Sequence, residues 1–216
     1  ITYIKEIYKE IWDEEIIMTY LEKNSIIIKQ ICENESELGK KKLKKFMYLI
    51  ERKGVNLGLN YSIHYFGPYS SKLDNTMHIL ESDDKIVINT SRITHTIHLG
   101  EEPIEGNLED NEQEAVNFVL SKFKDKSAYD LEAITTLDYV ATEMLNGEGS
   151  DEQIIDKVKQ IKGTKFTKEH LESNLKLLKQ LEYVWYLSFV IKENLAAPPK
   201  LTDVFMFGGK EQKYEK

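Results

Sequence analysis

The sequence predicts a mainly α-helical fold with a small β component, in which a winged-helix-like N-terminal unit with a β-hairpin precedes a helical C-terminal unit. Two observations predict this class. Apolar residues recur at three-and-four spacing along most of the chain, which is typical of helices with one buried face. Two β-branched runs flank Asn89-Thr90-Ser91-Arg92, which indicates a hairpin.

Composition and charge narrow the class of protein. Of the 216 residues, 41% are hydrophobic and 31% charged, which is typical of a folded globular chain. The single cysteine, Cys32, excludes an intrachain disulfide framework and favours a reducing compartment, so we expect a cytoplasmic protein. No apolar run approaches the roughly 20 residues that cross a bilayer, which predicts no membrane insertion. The net charge of −8 disfavours a whole-surface nucleic-acid binder but leaves a local basic face open.

The first part of the chain predicts helices. Ile1 to Trp12 places apolar residues at helical spacing, and a second helical pattern is interrupted at Asn24-Ser25 before Ile26 to Cys32 resumes it. Because no basic neighbour is fixed beside it, Cys32 is expected to be a core residue rather than a reactive thiol. The segment Leu38 to Gly54 predicts a helix with an inward apolar stripe and with lysines on the opposite face.

A strand, a helix and a hairpin are predicted next. Asn60 to Phe66 alternates as a β-strand does, and Gly67-Pro68 is expected to end that strand. A serine after this break can cap a helix that carries apolar residues inward. The runs Lys85 to Ile88 and Ile93 to Leu99 then form the hairpin. Because this order of elements is that of a winged helix, residues 1–100 are expected to form such a unit with an N-terminal helical extension.

The second half predicts a linker, a helical unit and a tail. Residues 101–113 are acidic and interrupted by proline and glycine, which indicates a linker or surface loop, and residues 114–195 form the helical unit. Residues 196–216 form an apolar-containing tail that needs a surface to cover, in this chain or in a partner. The predicted helices are Asn111 to Phe123, Ser127 to Leu145, Ser150 to Ile161 and Thr167 to about Lys192. The candidate partner-binding residues of the tail are Leu201, Val204, Phe205 and Phe207.

No spacing in the sequence predicts a catalytic or metal site. His95 and His98 lie three apart in a predicted strand and so point to opposite faces, and the other histidines lie in separate elements. The chain has no Gly-rich phosphate loop and no Cys-x-x-Cys pair. We therefore expect no enzyme, no catalytic residues, no metal and no cofactor, although an active site assembled from residues distant in sequence stays open.

A basic helix face is the strongest candidate site. Such a density of lysines can bind phosphate, with an affinity that falls steeply as salt is added. The helix in the recognition position, residues 70–81, carries only Lys72 as a base against Asp74 and Glu81, which favours a solvated lysine face instead. The candidate nucleic-acid-binding residues are Lys40, Lys41, Lys42, Lys44, Lys45, Arg52 and Lys53.

Two motifs resemble a known pattern. KLKKFMYL at 42–49, followed by YFGPYS at 65–70 and Leu73, is similar to the uncharacterised YwgA-like proteins and to the Panacea domains of antitoxins such as SocA. The likeness covers residues 38–82, and weaker echoes at 130–140 and 162–167 extend it towards residue 184 and favour the YwgA-like side. The resemblance implies a helical, winged-helix-like fold. On the Panacea side it also implies a protein that neutralises a toxin or acts as an adaptor in defence or stress, without catalytic residues.

We therefore expect a non-catalytic interaction or regulatory protein, antitoxin-like or an adaptor in phage defence or stress response. Its expected partner is a protein, such as a toxin or a defence component, because the tail is apolar and the net charge is acidic. The alternative is a winged-helix regulator that binds nucleic acid through the basic face of the helix at 39–54. Formation of a homo-oligomer stays open.

Overall fold

The computed structural model describes residues 19–91 and 94–183, and its fold is mainly helical with a small antiparallel β component, as predicted. The helix predicted at Ile1 to Trp12 and the tail from residue 196 lie outside the described residues. Within them, no helix is long and apolar enough to span a membrane. The α-helices are α1 (19–34), α2 (Lys40–Arg52), α3 (Ser71–Ser82), α4 (Asp110–Phe123), α5 (Ala128–Tyr139), α6 (Asp151–Lys162) and α7 (Lys168–Gln180). Helix α5 continues as a π-helical segment over Val140–Met144. The strands are β1 (Leu38–Gly39), β2 (Ser62–His64), β3 (Gly67–Tyr69), β4 (Ile86–Asn89) and β5 (Thr96–Leu99).

Helix α1 runs through the predicted interruption at Asn24-Ser25, so that prediction was wrong. The Ser25 hydroxyl donates a hydrogen bond to the carbonyl oxygen of Leu21 at 2.6 Å, within the helix, and the Asn24 amide donates to the carbonyl oxygen of Leu57 at 3.2 Å. The Ser25 hydroxyl and the Asn24 amide N–H therefore have acceptors without a break in the helix. Cys32 packs against the core as expected, and burial raises the pKa of its thiol to about 12.

A three-stranded sheet joins the predicted hairpin to the start of α2. Strands β4 and β5 pair antiparallel, with Ile86 opposite Leu99, which confirms the hairpin. Strand β1 pairs with the other edge of β5, and Gly39 at its end is the N-cap of α2. The backbone N–H of Lys40 donates to the carbonyl oxygen of His95 at 2.8 Å. The segment before β5 therefore lies beside the N-terminus of α2.

The segment Gly67-Pro68 forms a strand and does not break one. Strand β2 is shorter than predicted, and it pairs antiparallel with β3, with Ile63 opposite Pro68 and His64 opposite Gly67. Gly67 has φ +89°, a conformation that residues with a Cβ rarely adopt, and proline is tolerated because β3 is an edge strand. Tyr65 and Phe66 therefore lie at the tip of a second hairpin, the β2–β3 hairpin.

The helices of the second half lie close to their predicted positions. Helix α4 begins at Asp110, within the predicted linker, because Glu109 and Glu112 form a capping box there. The predicted caps of α6 and α7 are confirmed, since side chains of Ser150 and Thr167 accept hydrogen bonds from the first turns. Helix α7 ends at Gln180, earlier than predicted, in a turn where Glu182 has φ 58°. Residues 184–192 of that predicted helix lie beyond the described residues.

Helix α2 occupies the middle of the fold, where it packs against α4 and α5, while α5 also packs against α7. Leu43, Phe46, Met47 and Ile50 are fully buried, which confirms the inward stripe. Lys45 is buried as well, although it was expected on the outward face. Residues from both sides of the 101–113 segment belong to the same hydrophobic cluster. The division into separate units and the winged-helix topology stay predictions.

Candidate partner-binding groove

A groove of about 900 Å³ lies between the first turns of α2, the β2–β3 hairpin, the start of α3 and residues 94–95. We call it the α2–hairpin groove. Its walls combine aromatic rings with lysines, and two carboxylates lie among them. Its principal side chains are Lys40, Lys41, Lys44, Lys45, His64, Tyr65, Phe66, Tyr69, Asp74, His78, His95 and Glu132.

The tip of the β2–β3 hairpin exposes two aromatic rings beside this groove. Tyr65 is 70% exposed and Phe66 is 49% exposed. Their ring centroids lie 5.0 Å apart with an interplanar angle of 87°, an edge-to-face arrangement that aromatic pairs prefer. Exposed aromatic rings next to a concave surface are typical of a binding site, because contact with a partner removes their apolar area from water.

The backbone of this hairpin is held from the core side. Lys162, at the end of α6, donates a hydrogen bond to the carbonyl oxygen of Tyr65, and Lys45 donates to that of Pro68 at 3.0 Å. Gly67 is buried against α5, where a Cβ would lie 2.8 Å from the Thr136 hydroxyl oxygen. The hairpin therefore presents its two rings from a fixed backbone.

Glu132 of α5 joins two lysines beneath the hairpin. Its carboxylate accepts a hydrogen bond from Lys162 at 2.9 Å and from Lys165 at 2.7 Å. Burial opposes ionisation of Glu132, but these hydrogen bonds hold the pKa of its carboxyl below the ordinary value. The side chain of Lys162 is 1% exposed, and burial lowers its pKa. This charged cluster connects α5, α6 and the hairpin.

Lys45 is the most deeply buried lysine of the groove wall, with 5% of the residue exposed. Burial lowers the pKa of its ammonium from 10.5 to about 7, although the Glu132 carboxylate favours the charged form. The neighbouring charges of Lys162, Lys44 and Lys165 lower this pKa further. Lys45 is therefore close to losing its charge at neutral pH.

The candidate basic residues do not share one open face. Lys40 and Lys44 lie 3.6 and 2.7 Å from the same carboxylate oxygen of Asp74, and Lys41 lines the groove beside them. Lys42 instead pairs with Glu35, away from the groove. Of the candidate cations, Lys40, Lys41, Lys44 and Lys45 line the groove, whereas Lys42, Arg52 and Lys53 do not. Phosphate binding by these cations stays a prediction.

Arg52 and Lys53 form contacts that fix the position of α2. The Arg52 Nε donates to the fully buried carboxylate of Asp138 at 2.7 Å, and the Tyr48 hydroxyl donates to the same oxygen at 2.7 Å. The Lys53 ammonium lies 4.3 Å from the centroid of the Phe118 ring. These contacts connect α2 to α5 and α4, so both cations have structural roles.

Sequence reasoning missed the aromatic tip and the cluster beneath it, although the quoted motifs contained them. Tyr65 and Phe66 begin YFGPYS, Glu132 lies in the echo at 130–140, and Lys162 and Lys165 lie in that at 162–167. The signal in the sequence was the resemblance of these motifs to the Panacea and YwgA-like pattern rather than any one residue type. The tail candidates Leu201, Val204, Phe205 and Phe207 lie outside the described residues. Within the described ranges, no three His, Cys, Asp or Glu side chains are grouped so as to hold a metal ion.

The fold and the groove together define a mainly helical α+β domain that presents a rigid aromatic hairpin beside a lysine-lined concavity. Residues 43–138 match the family model described as the antitoxin SocA-like, Panacea domain. This match confirms the resemblance to Panacea domains drawn from the sequence motifs. It contains most of α2, the β2–β3 hairpin, α3 and most of α5, and so most of the groove walls. No curated protein matches the chain.

Proposed function

We propose that this protein is a non-catalytic, antitoxin-like regulator of the cytoplasm that acts by binding a protein partner, such as a toxin or a component of phage defence or stress response. The Tyr65–Phe66 tip lies at the centre of the proposed interface. The match of residues 43–138 to an antitoxin-like family supports the regulatory role. The exposure of two aromatic rings on a fixed backbone is the observation that carries the proposal.

Rigid, exposed aromatic rings suit protein recognition for two reasons. Aromatic side chains dominate the binding energy of many interfaces when they become desolvated at the centre. A backbone that is already ordered loses little conformational entropy on binding, which leaves more of the contact energy as affinity. The hydrogen bonds from Lys162 and Lys45 provide this order at the β2–β3 hairpin.

The test compares partner recovery by the full chain and by Tyr65→Ser/Phe66→Ser, each expressed with an affinity tag in the native cells. Ile79→Ser/Val87→Ser is the matched control, because both residues are exposed and apolar and lie outside the groove. We expect the partner to be retained by the wild type and the control but lost from the hairpin variant, since truncating interface aromatics costs about 2 kcal/mol or more each. Equal recovery by all three proteins would contradict the proposal. Deletion of residues 200–216 tests the tail in the same assay.

Nucleic-acid binding through the basic residues of α2 is the second candidate function. The gathering of Lys40, Lys41, Lys44 and Lys45 at one groove favours it. The sharing of Asp74 by two of these lysines reduces the charge available to phosphate. A salt titration on a labelled duplex decides the matter, because phosphate contacts predict an affinity that falls steeply with salt. Undetectable binding at low salt rules this function out.

A further inference from the structure

We propose that the α2–hairpin groove binds a short acidic segment of the protein partner, with its carboxylates beside Lys41 and an apolar side chain packed on Tyr65 and Phe66. This inference rests on the proposed function and adds the chemistry of the partner. It follows from three features of the groove: its excess of positive charge, the position of Lys41, and the depth of the other lysines.

Positive charge exceeds negative charge in the groove although the whole chain carries a net charge of −8. Four lysines line the groove and only two carboxylates, Asp74 and Glu132, lie among the lining residues. Each of these carboxylates is already shared by two ammonium groups, Asp74 by Lys40 and Lys44, and Glu132 by Lys162 and Lys165. A concave wall with an excess of one sign attracts a ligand of the opposite sign.

Lys41 is the groove cation that is best placed to meet a carboxylate. It is exposed, and it forms no ion pair with any residue that the structure describes. Its ammonium lies 4.4 Å from the centroid of the Phe66 ring, and that of Lys165 lies 5.4 Å from the same centroid. An acidic residue next to an apolar one can therefore pair with Lys41 while its neighbour covers the ring. This mixture of charge and aromatic surface is typical of peptide recognition.

The depth of the remaining cations favours a peptide over a nucleic-acid duplex. The side chains of Lys40 and Lys44 are each 20% exposed, and Lys45 is almost completely buried. A duplex presents its phosphates on a stiff convex surface, so its phosphates contact basic side chains that protrude from the protein rather than recessed ones. A carboxylate on a flexible side chain can enter the groove. Helix α3 offers little help to a duplex, because its Lys72 accompanies Asp74 and Glu81.

In the experiment, a phage library that displays short random peptides is selected for binding to the full chain. The affinity of the enriched peptides is then measured by fluorescence anisotropy. We expect enriched peptides to combine Asp or Glu with an aromatic or aliphatic residue. Their affinity should fall about tenfold or more with Lys41→Glu and less with Lys41→Gln. The control Lys122→Glu introduces the same charge change at an exposed lysine of α4 and should leave the affinity unchanged. Thermal unfolding checks that all three variants are folded.

Three results would overturn the inference: enrichment of basic or uncharged peptides, no enrichment at all, or equal affinity for the wild type and Lys41→Glu. A labelled duplex that displaces the peptides and binds more tightly would assign the groove to nucleic acid instead. These outcomes are separable from failure of the proposed function. If Tyr65→Ser/Phe66→Ser loses the native partner while peptide binding ignores Lys41, the function stands and the acidic-segment inference falls.

Discussion

The buried amine of Lys45 predicts a specific dependence of stability on pH. Its ammonium has an ordinary pKa of 10.5, which burial in the fold lowers to about 7. The charged groups around it are Lys44 on α2, Glu132 on α5, Lys162 on α6 and Lys165 just after α6. Between the two pKa values the unfolded chain keeps the proton that the folded chain has released. The free energy of unfolding therefore rises with pH across this window.

The magnitude follows from the size of the shift. A difference of one bound proton changes the free energy of unfolding by about 1.4 kcal/mol per pH unit. Because the folded chain is only half deprotonated at its pKa, the gain due to Lys45 from about pH 7 to about pH 9 is about 2 kcal/mol. Below pH 7 the folded chain bears the full cost of burying the charge. Lys162, whose pKa burial also lowers, adds a contribution of the same sign.

The variant Lys45→Met isolates this effect, because methionine fills similar space without an ionisable group. We expect the wild type to gain about 2 kcal/mol more than Lys45→Met over this pH range. Urea unfolding followed by far-ultraviolet circular dichroism measures both proteins at each pH. The control Lys122→Met, at an exposed lysine, should keep the wild-type profile. Parallel profiles for the wild type and Lys45→Met would refute the reasoning.

Three further predictions concern the contacts around the groove and α2. Gly67→Ala should lower the free energy of unfolding by about 3 kcal/mol, because residue 67 has a positive φ and the new methyl group would collide with α5. The control Gly147→Ala has a positive φ but open space around it, so it should lower the free energy of unfolding by about 1 kcal/mol. Asp138→Ala should cost about 3 kcal/mol in urea unfolding because Arg52 loses its buried partner, whereas Asp151→Ala, at an exposed ion pair, should cost below about 1 kcal/mol. Since the fold lowers the pKa of Glu132, its ionised carboxylate stabilises the folded protein above the pKa of the unfolded state, and this stabilisation is lost in acid. In Glu132→Gln, the free energy of unfolding should therefore fall less steeply as the pH is lowered. An unchanged slope in acid would contradict this.

Local periodicity predicted the helices well, but it could not predict which distant residues form hydrogen bonds with their side chains. Because a helix repeats every 3.6 residues, sequence spacing alone predicts the buried stripe of Leu43, Phe46, Met47 and Ile50. The predicted interruption at Asn24-Ser25 is wrong because the amide of Asn24 donates to the carbonyl oxygen of Leu57, 33 residues along the chain. Long-range hydrogen bonds of this kind override local propensity. They cannot be read from a window of sequence.

The candidate site was predicted only in part, for a similar reason. The density of lysines on α2 was evident, but their separation into groove-lining and structural groups depends on carboxylates elsewhere in the chain. Asp74 lies on α3 and Asp138 on α5, so neither pairing follows from helical spacing within α2. The sequence predicts a break at Gly67-Pro68 because glycine and proline usually end strands. The pairing of β3 with β2 depends on a glycine at positive φ.

The hydrogen bond from Lys162 to Tyr65 makes the end of α6 part of the support of the aromatic tip. A fragment limited to residues 43–138 would contain Tyr65, Phe66 and Glu132 but would lack both Lys162 and Lys165. The carboxylate of Glu132 would then remain without the two cations that hold it ionised beneath the hairpin. Transfer of the β2–β3 hairpin to another scaffold with these contacts intact therefore requires the end of α6 as well. Substitution of Lys162 is therefore expected to shift the aromatic tip, although Lys162 lies far from the hairpin in the sequence.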